Sequence, residues 1–486
     1  MKQVPRLVAM PEMFDFLTAQ LDRGAATPLF MQIADSLQKA ITARDIPASQ
    51  TLPSIRVLAA QLGVSAYTVS SAYAHLVAQG LLSARHGSGV QVAARSIRPE
   101  QIVRSASQTP TYDWPWLLGE KQRQGSGMLE LSGSALPADW GEARLVSKAL
   151  KTICSRSAAL ADAPAEPYGY APLRTLVQQR LARLHVDCAL DQIVITSGAT
   201  AALSLIINTL VQPGQYVLLD EPTYFGLHVM LRIRGARVVA VSRLPTGPDF
   251  AALQSAVQTY RPVLYFTQTA LHGPTGTSYS SGDVARLAGF ARDHALQLVE
   301  GDYYVDLDEN PRARISAFDQ LASSIYVGAC AKSITGPARI GYLACAHPLA
   351  REISALKLVS GLANFQFQER VATQALGDPE CARNLRSIRQ KLDQARGATL
   401  AALHQHGLSC FGPPTGGKYA WVRHPDFPDA TQLAESAYAA GLVVAPGKVF
   451  SPGDRPVPWF RLNVALGTHP RWLEWMKHHA PKVATD

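Results

Sequence analysis

From Pro28, the stretch "PLFMQIADSLQKAIT" sets Leu29, Ile33, Leu37 and Ile41 four residues apart, which is one apolar stripe along a helix. "LPSIRVLAAQLGVSAYTVSSAYAHLVAQG" then divides into two shorter helices. Ser54 is placed to cap the first, because its hydroxyl can accept from an amide that the first turn leaves unpaired. Gly63 breaks that helix, and Ser65 opens the second. Leu58, Leu62, Val64, Val69, Tyr73 and Leu76 would pack this pair against the first helix as a helix-turn-helix. Beyond Gly80, "LLSARH" and "VQVA" flank a Gly-Ser-Gly turn and predict a β-hairpin wing with Arg85 and His86 at its tip.

Residues 96–130 show no sustained period and mix Ser, Gln, Pro, Gly and charge, a composition that reads as a linker. Within it "DWPWLL" is apolar enough to dock onto a surface; alternatively Trp114 and Trp116 shield one another. From Leu131 onward short apolar runs alternate with helix-like stretches such as "ATAALSLIINTLV" and "SGDVARLAGFARDHA". The runs "QIVIT", "YVLL", "RVVAV", "VLYF", "LQLVEGD", "SIYVG" and "GYLAC" predict the strands of an α/β domain with a mostly parallel sheet. The expected organisation is a winged helix-turn-helix at 24–95, a linker at 96–130 and an α/β domain at 131–486.

Composition narrows the class. A chain of 486 residues with 47% hydrophobic residues exceeds one compact core and is too apolar to be disordered. No run of about 18 apolar residues suggests a membrane span. Pro11, Glu12 and Asp15 interrupt the place where a signal peptide needs its apolar core, so a cytoplasmic protein is expected. The six cysteines have no paired spacing, which argues against a disulfide framework and a zinc site. Net charge is +9, but its distribution says more: between Ile46 and Arg98 stand Arg56, Arg85, Arg95 and Arg98 and no acidic residue.

In open parallel sheets ligands gather beyond the carboxyl ends of the strands, so the candidate chemistry lies there. "ITSGATAALSLI" runs from a strand through Gly198 into a helix beginning Ala199 and Thr200, where free amides, the positive helix end and a hydroxyl suit a phosphate or a plain cap. "LLDEPTYFG" presents Tyr224 on a turn, where it can stack on a flat ring or roof the core. "GDYYVDLDE" bunches Asp302, Tyr303 and Tyr304. An aspartate can keep a heteroaromatic nitrogen protonated, and a tyrosine can bond a ring oxygen. The next edge carries Lys332, with Arg339 seven residues on: an amine able to form a Schiff base when desolvated, and a guanidinium able to clamp a phosphate.

Two resemblances follow from these motifs. "LPSIRVLAAQLGVSAYTVSSAYAHLVAQGLLSARHGSGVQVA" resembles the winged helix-turn-helix of GntR-family transcription regulators along its whole length. That resemblance implies a double-stranded DNA operator as partner, with Arg56, Ser65, Tyr67, Thr68, Arg85, His86 and Gly87 facing it. Where the family commonly has an arginine after the serine that opens the recognition helix, this chain has Ala66. The order SGAT, PTY, GPTG, DYY, AK with an arginine seven later, then "WFRLNV", is similar to the fold-type I pyridoxal-phosphate (PLP) aminotransferases over residues 131–486. Together the two halves resemble the MocR-type regulators, in which an aminotransferase-like domain is the effector sensor.

Carried over residue by residue, the resemblance implies PLP held by a lysine imine on Lys332, with Arg339 as a phosphate ligand and Gly198, Ala199 and Thr200 cradling the phosphate. Tyr224 would stack on the pyridine ring, and Asp302 and Tyr304 would approach its nitrogen and oxygen. Arg461 would receive an effector carboxylate, a bidentate task that lysine does less well. Tyr168 would reach the phosphate across a subunit boundary, which implies a homodimer.

The departures cluster at the cofactor. The asparagine that relatives place before Pro-Thr-Gly is Gly273; the aspartate on the ring nitrogen aligns with Gly301; the serines before the lysine are Ala329 and Ala331. Asp302 can substitute only if the strand end shifts by one residue, and such a step turns a side chain to the opposite face. A sensor needs only to exchange its imine and shift a conformational equilibrium, by about 1–3 kcal/mol of coupling. The expected function is therefore a dimeric transcription regulator sensing PLP or an amino compound. Two alternatives fit the same residues: a working PLP-dependent aminotransferase fused to a DNA-binding domain, and a regulator that has lost PLP and binds another metabolite.

Overall fold

The computed structural model describes residues 21–25, 27–43, 46, 50–79, 81–85, 89–92, 116, 119, 127–140, 143–155, 166–310, 312–330, 339–361, 366–453 and 455–481. The chain divides into two units, Met1–Thr109 and Pro110–Asp486.

The first unit holds helices α1 (Leu29–Ala43), α2 (Ile55–Leu62) and α3 (Ala66–Ala78), and the antiparallel strands β1 (Leu82–Arg85) and β2 (Gly89–Val92). The caps are those that local chemistry prescribes. Ser54 accepts from the Val57 amide, Ser65 accepts from the Thr68 amide at 3.1 Å, and Gly63 ends α2 at φ +62°, a left-handed turn that costs a residue without Cβ little. Ile33, Leu37, Leu58, Leu62, Val69, Tyr73 and Leu76 are buried in one core, and the Tyr73 hydroxyl donates to Pro53 O at 2.9 Å.

The second unit is built on a seven-stranded sheet. Its elements are β4 (Ile193–Thr196), α6 (Ala199–Leu210), β5 (Tyr216–Glu221), α7 (Phe225–Arg234), β6 (Arg237–Ser242), α8 (Phe250–Tyr260), β7 (Leu264–Thr267), α9 (Ser281–Asp293), β8 (Gln297–Asp302), α10 (Ile315–Asp319), β9 (Ser324–Ala329), β10 (Gly341–Ala344) and α11 (His347–Val359). Before them stand β3 (Leu129–Glu130), α4 (Ala143–Cys154) and α5 (Ala171–Ala182). After them come α12 (Gln366–Leu376), the long α13 (Pro379–Gln405), β13 (Leu442–Val443) beside β3, and a smaller antiparallel sheet in the order β11 (Ser409–Cys410), β12 (Tyr419–Arg423), β15 (Trp459–Asn463) and β14 (Ala445–Pro446).

The strand order is β4-β10-β9-β8-β7-β5-β6; only β10 runs antiparallel to its neighbours. The carboxyl ends of β4, β5, β7, β8 and β9 therefore lie along one edge, together with the start of β10, because Gly341 pairs with both Thr196 and Ala329. Side-chain alternation divides the sheet into two faces. Val194, Val217, Leu219, Val299, Ile325 and Val327 pack under α6, α7 and α11. Leu218, Tyr265 and Leu298 pack under α8 and α9, while Ile195, Tyr326 and Tyr342 pack toward α5. Trp116, in the stretch read as a linker, meets the Tyr438 ring at 6.5 Å in an edge-to-face contact; Trp114 lies outside the described residues. Among the described residues no helix is long and apolar enough to cross a membrane.

Candidate functional site

The sheet edge collects groups from five strand ends. At the first, Gly198 takes φ +92° and opens α6 with no side-chain cap, so the amides of the first turn, Ala199 and Thr200 included, point out of the helix end. Gly341, at the start of β10, comes so close to Gly198 and the Ala199 amide that a Cβ would overlap both, and Arg339 brings its carbonyl oxygen to 3.7 Å from where a Gly198 Cβ would sit. Arg339 itself is exposed, with φ +48°. The Thr200 hydroxyl lies 3.4 Å from the Tyr224 hydroxyl, and the Tyr224 ring stands 4.9 Å from that of Phe225. Thr200, Tyr224, Arg339 and the α6 amino end are thus brought together, whereas Lys332 lies outside the described residues.

The β8 end separates two residues that are adjacent in sequence. Asp302 is 1% exposed and turned to the same face as Glu300; its carboxylate accepts from Arg314 Nε at 2.7 Å and from the Tyr326 hydroxyl at 2.8 Å. Glu300, on that face too, accepts from the Thr269 hydroxyl, the Ile315 and Ser316 amides and the Ser316 hydroxyl, and burial pushes its carboxyl above the usual range. Gly301 faces the other way, toward α6. The structure therefore does not bring Asp302 to Thr200 and Tyr224: the expectation that it reaches the cofactor nitrogen meets the alternation of the strand, which turns it away to an arginine.

Tyr304 is buried, with its hydroxyl 3.3 Å from where a Cβ on Gly273 would stand. Its ring meets that of Tyr419 edge-on at 5.8 Å. Arg461, from β15, lies between the Tyr419 and Phe450 rings, 4.6 and 4.7 Å from their centroids. It has no carboxylate partner among the described residues, and its buried Nε has no acceptor. A buried guanidinium without an acid is costly, so this one is suited to an external carboxylate. Tyr168 joins the edge through its backbone, its carbonyl accepting from the Ile195 amide at 2.9 Å, while Arg174 covers its ring. The donor set fits a phosphate at the α6 end and a carboxylate at Arg461; among the described residues it offers no carboxylate on the α6 face of β8.

In the first unit, Arg56, Ser65 and Tyr67 are exposed, Tyr67 to 81%, and Thr68 is half-buried under the Ser65 cap. Ala66 is exposed at the place where an arginine is common. Arg85 ends β1 opposite Gly89, and His86 and Gly87 lie outside the described residues.

Residues 126–475 match the family "Aminotransferase class I and II", and residues 29–92 match "Bacterial regulatory proteins, gntR family". The chain belongs to the MocR-type transcription regulators. This MocR-type regulator is 27% identical over 449 residues to the uncharacterized HTH-type transcriptional regulator YdcR of Escherichia coli, covering 90% of this chain and 95% of the relative. It is 28% identical over 343 residues to the probable rhizopine catabolism regulatory protein MocR of Rhizobium meliloti, covering 68% of each. Among solved structures, the α-aminoadipate aminotransferase LysN of Thermus thermophilus superposes with a TM-score of 0.67 at 21% identity, over 74% of this chain and 94% of that one, a likeness of fold.

Tyr303 of this MocR-type regulator, bunched with Asp302 and Tyr304 in the sequence, was given no role of its own there. Its ring folds back over Gly301, the hydroxyl oxygen 2.5 Å and Cζ 2.6 Å from where a Gly301 Cβ would stand. It packs with Tyr224 on the α6 side of the sheet. The signal was present: Gly301 and Tyr303 are two apart at a strand end, and the period of a strand puts them on one face.

Proposed function

We propose that this chain is a cytoplasmic, dimeric transcription regulator whose aminotransferase-like unit binds PLP and an amino compound as effector, and passes their occupancy to the winged helix. The observation that carries this reading is Arg461, a buried guanidinium with no acid partner among the described residues, set between two rings and close enough to Tyr304 to act on its hydroxyl electrostatically. Such a residue is stabilised by a carboxylate delivered from outside, and the amino end of α6 supplies the matching anion site for a phosphate.

Lys332 is assigned as the covalent anchor and Arg339 as a phosphate ligand. Ala199 and Thr200 donate from the helix end, Tyr224 covers the ring, and Tyr304 reaches its hydroxyl side. Tyr168 completes the phosphate site of a partner subunit. Bound PLP supplies a reactive aldehyde that an amine can occupy, and how far it goes on to stabilise a carbanion depends on protonation of its ring nitrogen. On the α6 face of β8 position 301 is a glycine and no carboxylate stands there among the described residues, so the residues present would favour holding and exchanging an amine over moving its protons. Arg56, Ser65, Tyr67, Thr68, Arg85, His86 and Gly87 form the operator-facing set, in which Arg56 and Arg85 hold phosphates and the exposed Tyr67 lies on the recognition helix.

The test is the visible absorption of the purified protein with added PLP beside Lys332→Ala, and operator affinity with and without PLP and amino acids. A PLP-dependent band lost in Lys332→Ala, and operator affinity that responds to the ligand, are the expected results. Turnover of an amino acid with a 2-oxo acid would establish an enzyme instead. A protein that shows no band, yet binds its operator, would have exchanged PLP for another metabolite.

A further inference from the structure

Four of the departures from the aminotransferase pattern remove polar groups, but at β8 the space has not been left open. A Cβ on Gly301 would stand 2.5 Å from the Tyr303 hydroxyl oxygen, 2.6 Å from its Cζ and 2.9 Å from its Cε2. An aspartate carries its carboxylate oxygens about 2.4 Å from its own Cβ. The phenol oxygen thus stands at an aspartate-like distance from position 301, on the face from which Asp302 is turned away. That hydroxyl has no hydrogen-bond partner among the described residues, although the ring is packed against the α6-side core. We propose that Tyr303 replaces the missing carboxylate, presenting a neutral hydroxyl donor to the ring nitrogen of bound PLP and leaving that nitrogen unprotonated. The inference rests on the PLP reading above and extends it to the electronic state in which the cofactor is held.

Two features support the assignment. Burial, with Tyr224 and Asp302 close by, pushes the Tyr303 hydroxyl well above its ordinary value, so it remains a neutral donor at physiological pH. Asp302, the nearest acid in sequence, is already engaged by Arg314 and Tyr326 on the other face, and turning it over would leave the Arg314 guanidinium buried without its partner. A neutral donor satisfies the nitrogen's lone pair without giving it a proton. The ring is then a poor electron sink, as suits a chain that reports occupancy and does not turn substrates over.

The experiment is nitrogen NMR of PLP isotopically labelled at the ring nitrogen and bound to the full-length protein, with the PLP dissociation constant measured beside it. Wild type is expected to show a neutral, hydrogen-bonded nitrogen. Tyr303→Phe, which keeps the ring and its packing, should show a neutral nitrogen without the hydrogen bond and bind PLP about two- to tenfold more weakly, the loss of one hydrogen bond. The double change Gly301→Asp with Tyr303→Ala, which frees the volume and restores a carboxylate, should move the signal to the protonated position. A protonated nitrogen in wild type, or a Tyr303→Phe signal identical to wild type, overturns the inference while the PLP reading stands. Absence of bound PLP in wild type overturns both.

Discussion

Lys357 makes a prediction whose size follows from its surroundings. Its side chain is 0% exposed on α11, and the ammonium donates to the Ile195 carbonyl at 2.9 Å, beneath the strand that leads to Gly198. Burial is the main cause that pushes it down from the ordinary 10.5 to about 8; Arg174 adds to the fall, and Glu369 and Glu166 oppose it. At about 1.4 kcal/mol per pH unit, that drop means the charged lysine costs the folded state about 3 kcal/mol relative to the unfolded chain. The folded value is depressed, so the unfolded state binds more protons between the two values and stability rises with pH across that window. The penalty is complete below about 8 and gone above 10.5. Lys357→Met removes the charge and loses one hydrogen bond of about 1 kcal/mol. It should therefore stabilise the protein at neutral pH by about 2 kcal/mol, a rise in Tm of a few °C for a domain of this size. Thermal melts of wild type and Lys357→Met at matched pH values provide the assay. The advantage of the variant should shrink between pH 8 and 10.5 and reverse above it. A variant less stable than wild type at pH 7, or a difference that stays flat across that window, would refute the reasoning.

Three further outcomes follow from the caps, the recognition helix and the cradle. Ser65→Ala removes the acceptor for the Thr68 amide and should cost the first unit about 1 kcal/mol, read as a lower melting temperature together with weaker operator binding. Tyr67→Ala touches a side chain that is 81% exposed, so folding stability should stay within about 0.5 kcal/mol while operator affinity in a gel-shift titration falls; an unchanged affinity would remove Tyr67 from the interface. Gly341→Ala would drive a methyl into the Gly198 carbonyl carbon and the Ala199 amide, so the phosphate cradle should open. PLP affinity measured by absorption should fall more than tenfold, and a variant that folds and binds PLP normally would show that this end of α6 does not hold the phosphate.

The elements that sequence made legible are those that depend on near neighbours. The Ser54 and Ser65 caps, the Gly63 stop, the 29–41 stripe and the seven strand runs are all present, because a cap needs only an amide two or three residues away and a strand or helix period is written into every few positions. The antiparallel direction of β10 was not legible, since an apolar run has no arrow and its pairing with β4 and β9 is a long-range choice. Asp302 was the harder case: the alternation that turns it from the site could be counted in the sequence, but its engagement by Arg314 and Tyr326 could not.

The order of residues alone establishes that a gntR-type winged helix precedes an aminotransferase-like domain, and that Gly273, Gly301 and two alanines stand where polar groups are usual. What fills those places is set by how distant segments pack. A glycine in a string of letters is a missing side chain; in the fold it is a volume, and the chain that closes around it decides whether that volume is empty. Tyr303 over Gly301 and Tyr304 against Gly273 show that both were filled by phenol rings from the same strand end. Arg461 shows the same dependence from further off: its contacts with two rings, and with no acid among the described residues, arise from β12, the Phe450 segment and β15 packing together, and no local pattern records which distant partners a guanidinium will find.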